Sequence, residues 1–438
     1  MKSFVKFAAC GALLGIFSGA GIAARTQTTR KRVPRDPAAV ELNNLLATAS
    51  QAMGRKDYAA AADNFERYLA KKPDDAAIHF QLGYAYTALD RLADAKTEYE
   101  KTVQLDPKMP QAYLNLGLTQ LDSDPAAAVE PLQKAAELQP DDARPKFLLG
   151  VALERSGKPA EAVVQYQAAE KLDEKDFDTH FSLGRALLDT HRPADAEPEF
   201  RAALAIRPND TGAHLGLANS LDEQKELEPA AAEFAAYLAA KPDDSAVRVE
   251  RALLLADLGK NDEALAELDR AAAAGPEKLR ALKLRSRIYF DKKQYDNAIA
   301  ALQKAVVLSP QDQDVRARLG HVYLEKKDYP DAVVALVAAY KMNPAANDVL
   351  GDLVTAQYLN KNYSGALQGL DLLSRRQELP AGSWFIRATC YDRLGDTVHA
   401  LDAYKMFLQL NKNENNDMYF EASARARTLT RELQNKKR

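Results

Sequence analysis

The groups best suited to acid–base or metal chemistry in this 438-residue chain are six histidines: His79, His180, His191, His214, His321 and His399. Histidine titrates near neutral pH and is the commonest metal ligand, so spacing decides what it can do. No His-Glu-x-x-His stretch and no paired-cysteine motif occurs, which removes the common zinc patterns. The glycines lack phosphate-loop spacing. Serines have no neighbouring His–Asp arrangement, although a triad built from distant segments stays open. His79, His180 and His214 share one repeated position in separate segments. That spacing favours packing with a satisfied nitrogen over a metal cluster. Asp and Glu fall in turns and on helix faces, and a pair such as Glu98 with Thr102 reads as solvated surface. The expectation is a non-enzyme with no cofactor and no metal.

The elements that carry these residues recur. The stretch LGYAYTALDRLADAKTEYEKTVQLDP, Leu82 to Pro107, returns about every 34 residues. Closing prolines stand at Pro73, Pro107, Pro140, Pro208, Pro242, Pro276, Pro310 and Pro344, and Glu174 fills the one missing place. The step from Pro107 to Pro140 is one residue short, and the deletion falls in LDSDPAAAVE, in a turn between two helices. Within a unit, AIHFQLGYAYTAL (Ala77 to Leu89) has apolar residues at helical spacing. DRLAD turns the chain, ADAKTEYEKTVQL (Ala93 to Leu105) is a second helix, and DPKMP ends it. Neither helix can bury its apolar face alone, so neighbouring pairs must cover it.

Small and bulky residues hold phase along the chain. The Leu-Gly pair recurs at Leu82-Gly83, Leu116-Gly117, Leu149-Gly150, Leu183-Gly184 and Leu319-Gly320. A small residue opens each second helix, as at Ala61, Ala95, Ala162, Ala264 and Ala400, and a bulky one follows, as at Phe65, Tyr99, Tyr166, Leu268 and Tyr404. This pattern resembles the tetratricopeptide repeat family. The resemblance covers about 85% of the chain, as eleven units from Leu42 to Glu414. It implies an all-α, right-handed superhelical solenoid of antiparallel helix pairs. Units lacking the glycine carry Ala49, Ala218, Ala252, Ser286, Val354 and Ala388 instead. Val354 is the least comfortable of these, and slightly wider packing is expected around it. The segment MYFEASARARTLTRELQ reads as a capping helix.

The resemblance also implies that first helices line a concave, partner-binding surface. Carried over position by position, its groove residues are Phe80, Tyr84, Leu114, Leu118, Arg144, Phe147, Val151, Phe181 and Arg185, an apolar strip for an extended or helical peptide. In the eighth unit they are Arg280, Lys283, Arg287 and Phe290, a positive patch for an acidic one, with Asp291, Asp314 and Glu325 nearby. For Phe80, Tyr84, Phe147 and Phe181, packing between helices is an equal alternative. His321 falls on the same side and is the best functional candidate among the histidines. The family's grip on a terminal carboxylate is not reproduced, because Arg287 replaces its asparagine and Leu215 its lysine.

Charge and termini complete the reading. Residues 1–35 hold seven basic groups and no acid, and the tail from Asn415 has six basic and three acidic groups. With a formal total of -3, the body is acidic and a poor general nucleic-acid binder. Residues 1–24 read as a signal peptide, with an uncleaved anchor or organellar presequence as alternatives. Cys10 does not sit as a lipidation site would, and after cleavage Cys390 is the sole cysteine. Residues 25–41 read as a flexible basic leader, 42–414 as the repeats and 415–438 as capping helix and basic tail. The expected role is a protein-interaction scaffold in the cell envelope, periplasmic or secreted, with a protein or peptide partner. A carbohydrate-related factor in polysaccharide export or glycosylation, and a self-associating spacer, are the alternatives.

Overall fold

The computed structural model describes residues 37–411 and 417–436. The signal segment, Cys10 and most of the leader lie outside them. The described residues form twenty-three helices and no strand. The chain divides into two compact units, one ending at Ala240 and one starting at Lys241.

In the first unit, consecutive helices pack as hairpins. These are α1 (Pro37–Gly54) with α2 (Tyr58–Leu69), α3 (Ala76–Ala88) with α4 (Leu92–Leu105), and α5 (Pro110–Gln120) with α6 (Pro125–Leu138). There follow α7 (Ala143–Arg155) with α8 (Pro159–Glu170), α9 (Phe177–Asp189) with α10 (Pro193–Ile206), and α11 (Thr211–Glu223) with α12 (Leu227–Ala240). The second unit contains α13 (Ser245–Asp257) with α14 (Asn261–Ala274), α15 (Leu279–Asp291) with α16 (Tyr295–Leu308), and α17 (Gln313–Glu325) with α18 (Tyr329–Met342). It continues with α19 (Asn347–Leu359) and α20 (Tyr363–Ser374), then α21 (Ala381–Arg393) and α22 (Thr397–Leu410). The last helix, α23 (Asp417–Lys436), lies on α22 and buries Ala422, Ala426 and Leu429 beside Tyr404 and Phe407. Each unit is thus a helical repeat solenoid. The flexible leader was expected to reach residue 41, but α1 already begins at Pro37. Proline is tolerated in a first helical turn, and the following Ala-Ala-Val-Glu-Leu continues the helix.

Each hairpin closes over a small residue. Tyr99, Tyr166 and Phe200 are fully buried in second helices, facing Gly83, Gly150 and Gly184 of the partner helix. A Cβ at Gly150 would stand 2.6 Å from Tyr166 Cε1, and one at Gly117 would stand 2.4 Å from Leu132 Cγ. Burying one such ring is worth about 1.5–3 kcal/mol, so the glycine secures the largest single contact of the hairpin. Val354 breaks the rule without a bare clash. The glycine has crossed the interface: Gly369 on α20 faces Val354, and a Cβ there would meet Val354 Cγ2 at 2.5 Å. The wider packing expected around Val354 is replaced by this exchange.

The hairpin turns repeat a single left-handed residue. Lys56, Asp90, Gly157, His191, Lys225, Gly259, Lys293, Lys327, Lys361 and Gly395 all have φ between 56° and 82°. Only α5–α6 lacks it, because the short unit has lost that position and Gln120 carbonyl bonds Ser123 and Asp124 N–H instead. Six of the first helices start on aspartate. Asp75, Asp142, Asp176, Asp210, Asp244 and Asp312 each accept a backbone N–H of the first turn, a cap worth about 1 kcal/mol.

Two substitutions separate these constraints. Gly150→Ala must displace Tyr166 and is expected to cost about 1–3 kcal/mol. Gly259→Ala has open space around the new Cβ but a φ of 74°, and is expected to cost about 1 kcal/mol. Urea denaturation followed by circular dichroism checks the order. In the same assay Gly369→Ala should cost about 1–3 kcal/mol alone and markedly less in a Val354→Ala background. Additive losses would mean that the two side chains do not share one space.

Candidate functional site

In each unit some successive first helices touch, α7 with α9, α9 with α11, α13 with α15 and α17 with α19; no two second helices are in comparable contact among the described residues. The face lined by first helices is therefore the inner side of each stack. The residues predicted for the groove divide by burial. Tyr84, Leu114 and Leu118 are buried, so they pack the hairpins and present little surface to a ligand. Phe80, Phe147 and Phe181 are half-buried. Each leans on the second-helix ring that the glycine accommodates: Phe80 on Tyr99 at 5.8 Å, Phe147 on Tyr166 at 5.7 Å and Phe181 on Phe200 at 6.1 Å. Part of each ring stays accessible, and Phe181 also stacks on Phe177 at 5.8 Å with Arg185 over its ring at 6.0 Å. Arg144 and Val151 are half-buried and Arg185 is exposed. Arg185 Nη2 donates to Glu154 Oε1 at 2.5 Å.

In the second unit the expected positive patch is a string of ion pairs between neighbouring first helices. Arg280 of α15 pairs with Glu250 of α13, and Arg287 with Asp257 at 2.8 Å. Lys283 lies between Asp312 and Asp314, at 2.9 and 3.2 Å. Burial works against its charge, but the two carboxylates outweigh that and raise its pKa. Phe290 is half-buried against Tyr295 and the His321 ring, at 5.9 and 5.6 Å. His321 Nδ1 stands 3.1 Å from Asp352 Oδ2 on α19. That hydrogen bond raises its pKa above the ordinary histidine value against partial desolvation. Exposed pairs of this kind contribute little to stability but fix which charges the face presents.

The other histidines occupy a different place. His79, His180 and His214 each direct Nε2 at the carbonyl of a residue six back, Pro73, Glu174 and Pro208, at 2.7, 3.0 and 3.0 Å. Nδ1 meets a carboxylate nineteen residues on, Glu98, Glu199 or Glu233, at 2.5, 2.7 and 2.6 Å. A carbonyl only accepts, so Nε2 carries a hydrogen in each ring. Both nitrogens are satisfied, and the three rings belong to separate hairpins. The same clasp is made by arginine where Arg248 bonds Pro242 carbonyl at 2.9 Å and Glu267 at 2.7 Å. Glu267 is buried and also takes Arg251 and Arg270. Glu98 and Thr102 correct the solvated reading: both are buried, and the Thr102 hydroxyl donates to Glu98 carbonyl. The nineteen-residue His-to-Glu spacing was visible in the sequence and is the signal that reading missed.

His180 alone has a second acid. Glu170 Oε1 lies 3.9 Å from its Nδ1, and ligand atoms of Glu170, His180 and Glu199 all fall within 4.8 Å of one another. A cleft of about 460 Å³ opens between the second helices α2 and α4, lined by Glu66, His79, Tyr86, Glu98 and Lys101 among others. It shares no residue with the predicted groove. Cys390 is buried and unpaired, and burial pushes its thiol up to about 12, which removes it as a nucleophile at neutral pH. No helix among the described residues is long and apolar enough to cross a membrane.

The His321 pair sets a pH dependence. Its folded-state pKa is raised, so the stabilisation is full below about 6.5, the unfolded value, and fades as pH rises through the folded-state value. An NMR titration of the ring should give a midpoint above about 6.5, returning toward it in Asp352→Asn. An unshifted wild-type midpoint would remove the pair from the face in solution.

Two tetratricopeptide repeat models match, one over residues 122–177, 249–313 and 318–375 and the other over 52–116 and 187–254. A curated relative, the protein SGT1 homolog of Bos taurus, is 29% identical over 102 residues, which is 23% of this chain and 30% of that protein. The chain thus matches under a third of the relative's length. Among solved structures, YrrB, described as a TPR protein with an unusual peptide-binding site, is 20% identical over 46% of this chain and 100% of its own, with a TM-score of 0.39. MamA of Desulfovibrio magneticus RS-1 is 20% identical over 39% of this chain and 97% of its own, with a TM-score of 0.37. Together the two repeat models span well over half of the sequence, and the chain belongs to the tetratricopeptide repeat family.

Proposed function

We propose that the chain is a non-catalytic scaffold that holds a peptide or protein segment along the inner faces of its hairpin stacks. The observation that carries this reading is the row of half-buried rings, Phe80, Phe147 and Phe181, each leaning on a buried second-helix ring while part of its surface stays exposed. Rigid aromatic surface gives contact area at low entropic cost. In the second unit, paired charges from Arg280, Lys283 and Arg287 add polar partners whose geometry is already set. Membership of the repeat family supports a protein or peptide as the bound class. The N-terminal sequence supports export to the cell envelope.

The test compares crosslinked partners of wild type and a Phe80→Ala/Phe147→Ala variant in the native compartment, with circular dichroism as the control for folding. Loss of the wild-type partners with helicity retained is expected. Unchanged capture by a folded double variant would move the site elsewhere. If the double variant unfolds, Arg185→Glu provides the same comparison from an exposed position. N-terminal sequencing of the mature protein checks export: an intact Met1 in a cytoplasmic fraction would exclude it.

A further inference from the structure

The histidine clasps differ in one respect that packing does not require. At His79 and His214 the places equivalent to Glu170 hold Leu69 and Leu204, both apolar and withdrawn from solvent. At Glu98 a lysine, Lys101, compensates the carboxylate at 2.9 Å, and at Glu267 three arginines do so. At His180 the neighbour is instead another carboxylate, Glu170, and burial together with that acid raises the pKa of Glu199. Two acids therefore converge on one ring nitrogen where a sister clasp has a cation.

We propose that Glu170, His180 and Glu199 bind a divalent transition-metal ion of the zinc class, tying α8 to the α9–α10 hairpin. The donor set suits it: one imidazole and two carboxylates are zinc ligands, with an open position left for water. The ring is pre-oriented as metal-bound histidines are, since Nε2 donates to the Glu174 carbonyl and leaves Nδ1 facing the acids. Donors around a tetrahedral ion at about 2.0–2.2 Å stand about 3.3–3.6 Å apart. The present separations from Nδ1, 2.7 Å to Glu199 and 3.9 Å to Glu170, bracket that range. Closing the set asks Glu170 to approach the ring nitrogen and Glu199 to draw back from it. His180 is buried, while Glu170 and Glu199 keep 28% and 16% of their side-chain surface, which leaves an entry path.

Isothermal titration of the untagged full chain with ZnCl2, and metal content after gel filtration, test the assignment. One zinc per chain is expected, lost or weakened about tenfold or more in Glu170→Leu, which copies the residue at the sister positions. His214→Gln should bind as wild type does. Zinc should raise the thermal midpoint of wild type and not that of Glu170→Leu, with circular dichroism confirming that the variant folds. No stoichiometric zinc in wild type would overturn the proposal. So would zinc retained by folded Glu170→Leu, or zinc lost instead on replacing His399, whose exposed ring pairs with Asp396 at 2.7 Å.

Discussion

The structure depends on how closely two short helices can approach. A first helix of thirteen residues such as α3 or α7 is marginal by itself in water. It persists because a glycine or alanine lets a Tyr, Phe or Leu of the second helix lie across its backbone. The ring seals the hairpin from within and still leaves apolar surface on both sides, which only the neighbouring hairpins can cover. Close approach inside a hairpin and dependence between hairpins thus follow from the same pairing. The Val354–Gly369 exchange makes the constraint explicit. What must be conserved is the sum of volumes across the interface, not the residue on either side.

A second layer joins hairpin to hairpin. The turns that follow these second helices carry carbonyl groups outside the helical hydrogen bonds. The clasp position on the next first helix answers one of them, through His79, His180, His214, Arg248 or Arg316, and Lys146 reaches Pro140 carbonyl in the same way. Four of these side chains then turn to a glutamate on their own second helix. The choice of base varies, but the geometry does not, because the acceptor is backbone and is always present. Aspartate caps begin the same helices, so each junction has its donors and acceptors matched within a few residues.

Much of the fold was legible in sequence because it repeats in one dimension. The Leu-Gly pairs, the small residue of the second helix and the bulky one after it report a local contact, and the helices stand where those markers place them. The left-handed turn residue was harder to see: lysine, histidine and aspartate fill most of its positions, so a search for glycine passes over it. The candidate site was legible only in part. Helix phase put Phe80, Phe147 and Phe181 on the inner face, but it could not distinguish them from Tyr84, Leu114 and Leu118, whose burial depends on the hairpin before. Ion pairs joining residues about thirty apart cancel the positive patch at Arg280, Lys283 and Arg287. Glu98 looked solvated because its partners, His79 and Lys101, come from two different helices.

The clasps also bear on how the chain responds to force. Each one spans a single junction, from the carbonyl at the end of one hairpin to the glutamate of the next, and nothing ties hairpins farther apart by the same means. Tension applied across either unit would therefore peel it from an extremity, one pair of helices per rupture, rather than snapping it as a whole. A sawtooth whose steps each release the contour length of one repeat, with higher peaks at the junctions that carry a clasp, is the extension profile such a linkage produces.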